Sequence, residues 1–217
     1  MTNLDPATLI SRIIVLLTAF SVHEFAHAWT ANYFGDLTPQ RNGRLTLNPL
    51  AHLDPMGSLM LIVAGFGWAK PVPINPYALR KASPSAVMWV SLAGPLSNFL
   101  MAVLGAIPFR VGLVSLSNVY FSQGRLFPTL DSFLWDFISI NLILMLFNLI
   151  PLAPLDGEKI AGYFFPPSWR EMLDQIRPYG PMILLFLFIA GPYLGMDVLG
   201  WLLGPPLRFF VRLLIGA

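Results

Sequence analysis

Residues 23–27 read His-Glu-Phe-Ala-His. On a helix, positions four apart stack on one face, so the imidazoles of His23 and His27 can meet one metal ion. Glu24 beside them can take a proton from an attacking water. These are the donors of zinc-dependent hydrolysis: two neutral ring nitrogens for the metal and a carboxylate as general base. With only three histidines in 217 residues, the pairing is rare by chance. Its bland alternative is a polar patch lining a transporter cavity.

A catalytic zinc takes three protein ligands and keeps one position open. The chain has no cysteine, which excludes thiolate ligands and disulfides. Two residues compete for the third place. His52 sits in Asn48-Pro49-Leu50-Ala51-His52-Leu53-Asp54-Pro55, outside the apolar runs, where an exposed loop histidine or a residue behind the site is the reading. Asp156 follows Phe147-Asn148-Leu149-Ile150-Pro151-Leu152-Ala153-Pro154-Leu155, at the end of an apolar run.

The elements that must position these residues are membrane helices. Hydrophobic residues make up 56% of the chain and charged residues 11%, with a mean hydropathy of +0.67. A soluble domain carries about 25% charged residues, so lipid must be the solvent here. The formal charge of +2 gives no reason to expect a nucleic-acid partner. The expected fold is an all-α integral membrane bundle forming one domain over 1–217. Charge-free runs predict spans at about 9–34, 84–109, 137–155 and 178–196. The N-terminal run lacks a basic leader and a cleavage site, and reads as a retained first span. Residues 55–69 are too short for a comfortable crossing and read as re-entrant or interfacial. The proline-alternating stretch after them reads as an extended edge. Residues 198–217 are a further helix or an interfacial one.

If 55–69 does not cross, the 35–83 and 157–177 loops share a side. Together they hold Arg41, Arg44, Lys70, Arg80, Lys81, Lys159, Arg170 and Arg177, and the positive-inside rule makes that side cytoplasmic. The motif then lies in the cytoplasmic half of its helix, and Asp156 ends its span at the same face. This topology favours Asp156 as third ligand over His52.

Pro151 and Pro154 remove backbone donors and break the helix, freeing carbonyls for an extended peptide substrate along a cleft wall. An ordinary proline-terminated helix is the alternative. Asn148, beside the proposed ligand, and Asn98, in Gly94-Pro95-Leu96-Ser97-Asn98, can each donate to a substrate carbonyl or oxyanion. Each can equally serve as helix-to-helix glue.

Taken together, His23 to His27, Gly94 to Asn98, and Asn148 through Leu155-Asp156-Gly157 resemble the motifs of the site-2 protease family. These are the intramembrane zinc metalloproteases of peptidase family M50. Gly43-Arg44-Leu45-Thr46-Leu47-Asn48-Pro49 and Phe66-Gly67-Trp68-Ala69-Lys70-Pro71-Val72-Pro73 look like its compact prokaryotic branch. The resemblance implies a three-helix catalytic core and one zinc held by His23, His27 and Asp156. It also implies cleavage of transmembrane protein substrates near the cytoplasmic face of the cell membrane. Asn98 and Asn148 are 50 residues apart, which leaves no room between them for the PDZ domain of better-known members.

Overall fold

A computed structural model describes residues 5–57, 60, 67–119 and 126–216. The expected re-entrant piece at 55–69 falls largely outside the described residues. Within them the chain is helical without a named strand. We label the main helices α1 (Pro6–Tyr33), α2 (Pro76–Ala82), α3 (Ala86–Arg110), α4 (Leu130–Asn148), α5 (Asp156–Phe164), α6 (Pro167–Ala190) and α7 (Val198–Ile215). Of these α1, α3, α4, α6 and α7 are long and apolar enough to cross a membrane. The chain is a multi-pass helical membrane protein.

α1 owes its place to a stripe at every fourth residue. Ala7, Ser11, Val15, Ala19, His23, His27 and Ala31 are all buried. Small side chains let helices approach closely where lipid gives no hydrophobic drive, and α1 lies against α3 and α4 along this stripe. His23 and His27 continue it, so the motif faces protein rather than lipid. α3 is the central helix, packed on α1, α4, α5 and α7. Ala102, Ala106 and Phe109 of α3, Ile138, Leu142 and Met145 of α4, and Ile215 of α7 form one apolar cluster.

Two spans differ from the sequence expectation. α4 starts at Leu130, not 137: Thr129 caps it by accepting from the Ser132 amide at 3.3 Å, and Asp131 ties down the preceding loop by accepting from the Ser115 amide at 2.9 Å. It ends at Asn148 rather than 155, because Pro151 and Pro154 cannot continue it. The expected 178–196 span is part of a longer helical run that begins at Pro167 and turns π-helical at Phe186–Ala190. Residues 198–215 are helical.

The segment 67–75 is a strap outside the helices. Leu53 and Ala69 form an isolated antiparallel bridge, and the Lys70 amide donates to the His52 carbonyl at 2.8 Å. Arg44, buried, donates to the Ala51 and Lys70 carbonyls. Asp36, at the end of α1, accepts from the Thr38 and Asn75 amides at 2.9 and 2.6 Å. The strap is thereby tied to the motif helix.

Candidate metal centre

α1 supplies His23, Glu24 and His27, all buried. Asp156 arrives from the opposite direction, on the first residue of α5. The non-helical 149–155 turn that delivers it is wedged by two glycines. A Cβ on Gly157 would strike the Leu149 and Ile150 carbonyls, and one on Gly180 would strike the Ala153 carbonyl. Only hydrogen fits at either contact.

The three donors converge. His23 Nε2 and His27 Nε2 are 3.0 Å apart, and each is 3.2 Å from Asp156 Oδ2. Ligands about 2.05 Å from a tetrahedral zinc lie roughly 3.3 Å from one another, so the spacing fits zinc. No other group of three such donors occurs among the described residues.

The far ring nitrogens explain why the near ones are free. His27 Nδ1 meets the Val90 carbonyl at 2.6 Å, and His23 Nδ1 meets Asn98 Oδ1 at 2.6 Å. A carbonyl can only accept, so each Nδ1 carries the proton and each Nε2 presents a lone pair. Two lone pairs and a carboxylate oxygen at this range repel unless a positive charge sits among them. α3 makes room for the rings with Gly94, where a Cβ would fall on His27 Nε2 and 2.6 Å from His23 Cε1.

Glu24 Oε2 accepts from the Val72 amide at 3.1 Å. Pro71 and Pro73 have no N–H, so Val72 carries the one backbone donor between them.

The other sequence candidates scatter. Asn98 is fully buried, its oxygen on His23 and its nitrogen 2.9 Å from Asn141 Oδ1, so it faces the metal ligand rather than a cleft. Asn148 is half-buried and donates to the Leu144 carbonyl at 3.0 Å. Pro151 and Pro154 are exposed. His52 is 1% exposed, not an open loop residue; its Nε2 donates to the Thr46 carbonyl at 2.7 Å, inside the loop that carries the strap. Sequence reasoning missed Gly94 as ring clearance, the Val90 carbonyl, Asn141 and Val72. The first three lie one or two helical turns from named residues, but what each meets across the bundle is not written in that spacing.

Over 182 residues the chain is 43% identical to YwhC of Bacillus subtilis strain 168, a protein that carries a zinc-metalloprotease name. The match covers 82% of this chain and 80% of that protein. The chain belongs to this zinc metalloprotease family. Rip2 of Mycolicibacterium smegmatis, named likewise, is 32% identical over 80% of this chain and 64% of its own length. Rip2 of Mycobacterium tuberculosis strain H37Rv is 30% identical over 87% of this chain and 68% of its own length. No protein-family model and no solved structure matches. Membership in a zinc metalloprotease family agrees with the donor set: His23, His27 and Asp156 would hold the zinc.

Proposed function

We propose that this chain is an intramembrane zinc endopeptidase of the site-2 protease type, cutting peptide bonds within or near the transmembrane segments of membrane proteins. One zinc per chain is held by His23, His27 and Asp156. The site opens toward the cytoplasmic face of the cell membrane. The observation that carries this reading is a three-ligand cluster with an adjacent buried carboxylate, set between helices apolar enough to lie in lipid. Ionisable groups in such surroundings are costly and belong to function.

Bound zinc supplies Lewis acidity, polarising the scissile carbonyl and making water nucleophilic near neutral pH. The chain's own residues do the rest. Glu24 leaves the Val72 amide, takes the proton of the attacking water and delivers it to the leaving amine. Asn148 has a second amide hydrogen beyond the one given to Leu144, and it serves the developing oxyanion. The exposed turn around Pro151 and Pro154 receives the extended substrate. A substrate helix must unwind to present its carbonyls, so helix-breaking residues near the cut favour cleavage.

The test is Glu24→Gln in vesicles holding purified protein and a model transmembrane substrate. Cleavage should fall about 10²–10⁴-fold at unchanged zinc content. Cleavage that persists ends the assignment of the base.

A further inference from the structure

We infer that Asn141 is a positioning residue for the metal centre, acting through Asn98 to fix which nitrogen of His23 faces the ion. This deepens the zinc reading above and rests on it.

The chain of contacts has a direction. Asn141, on α4, is fully buried, and its Nδ2 donates to the Phe137 carbonyl at 2.8 Å. A backbone carbonyl can only accept, so the amide cannot flip without setting two oxygens against each other. Asn141 must therefore turn its oxygen toward Asn98, whose Nδ2 donates to it at 2.9 Å. Asn98 is then left with its oxygen facing His23 Nδ1 at 2.6 Å. An acceptor there requires the proton on Nδ1 and the lone pair on Nε2, which points at Asp156 and His27. The polarity of one α4 carbonyl thus passes through two amides to a ring on α1. His27 needs no such relay, because Val90 supplies a backbone carbonyl directly.

Two features separate this from helix-to-helix glue. Glue between Asn98 and Asn141 would work in either amide orientation, whereas the Phe137 carbonyl permits one. Glue would also end at the pair, whereas this chain ends on a ring whose other nitrogen belongs to the metal cluster.

The experiment uses full-length protein in detergent, with zinc affinity read by chelator competition and ring protonation read by ¹⁵N resonances of the three histidines. Asn141→Leu should weaken zinc about 10-fold or more, the range seen when partners of metal-ligating histidines are lost. It should remove the single Nδ1–H form of His23 while leaving that of His27 in place. Asn141→Asp, kept neutral by full burial so that its O–H donates to the Phe137 carbonyl, keeps an acceptor toward Asn98 and should restore most of the affinity. A folded Asn141→Leu protein with wild-type zinc affinity and an unchanged His23 overturns the inference. Should that variant not fold, metal-free wild type decides: a proton on Nδ1 of His23 upholds the relay, and one on Nε2 overturns it. Wild-type protein that takes up no zinc would sink the functional reading instead, and the His23 tautomer would still report on the relay.

Discussion

At position 94 hydrogen is the largest substituent the ligand rings allow. A methyl there would fall on His27 Nε2, and neither ring can retreat, since Val90 and Asn98 hold their far nitrogens. The helix preference of alanine, about 1 kcal/mol, does not offset an overlap with rings that cannot move, since overpacking costs about 1–3 kcal/mol. Gly94→Ala should therefore lower thermal stability and weaken zinc binding at least 10-fold, read by melting and by metal analysis after dialysis. The two rivals for third ligand separate in the same assay. Asp156→Ala should lose zinc. His52→Ala should retain it but unfold more easily, by about 1–3 kcal/mol, because a buried ring and its bond to Thr46 are lost. At this scale the sequence was most legible. His23, Glu24 and His27 carry their geometry in their spacing, and Asp156 followed from topology. Asn141 and Gly94 escaped because their roles are relations across helices, and spacing along one helix does not contain them.

The turn between α4 and α5 sets the position of Asp156, and it holds only because two of its contacts lack side chains. Gly157→Ala should push a Cβ into the Leu149 and Ile150 carbonyls and move the adjoining ligand. Zinc affinity should drop, and activity with it. Gly162 lies on the same helix with nothing within 4 Å of its would-be Cβ. Gly162→Ala should leave both unchanged and add up to about 1 kcal/mol of stability. Equal losses from both substitutions, measured by zinc titration and thermal melts, would remove the wedge from the account. The helix break itself was readable from Pro151 and Pro154. Its place was not, because residues 149–155 are as apolar as the helix they follow. The start of α4 was missed for the converse reason: Asp136 read as the boundary at which the apolar run begins. In the structure Asp131 serves the loop before the helix and Asp136 lies near Arg12 of α1.

Over the whole bundle, the ends of the helices fix which of them cross. Arg110, at the last turn of α3, reaches the Leu213 and Leu214 carbonyls of α7, and Phe109 and Ile215 share one apolar cluster. α3 and α7 therefore finish at the same end, away from the metal. α4 starts near that end and returns to the metal end, where α5 begins. An odd number of crossings must then lie between α5 and the last turn of α7. α6 and α7 together would make two. α7 lies along α3 and α4, whereas α6 keeps to the metal end: Arg177 pairs with Glu158, Gly180 abuts Ala153 and the Phe188 ring meets Phe147 edge-on, centroids 5.4 Å apart. Apolar length qualifies α6 as a span, but these contacts predict that it stays at the metal end and that four helices cross. The chain's lack of cysteine makes this directly measurable with single cysteines and a membrane-impermeant maleimide. Leu113→Cys, Phe164→Cys and Leu194→Cys all sit at exposed positions. With the metal end facing the cytoplasm, Leu113→Cys should react in intact cells. Phe164→Cys and Leu194→Cys should react together, and only after permeabilisation. Leu194→Cys reacting alongside Leu113→Cys would mean that α6 crosses after all, and the packing of α7 on α3 would then need another explanation.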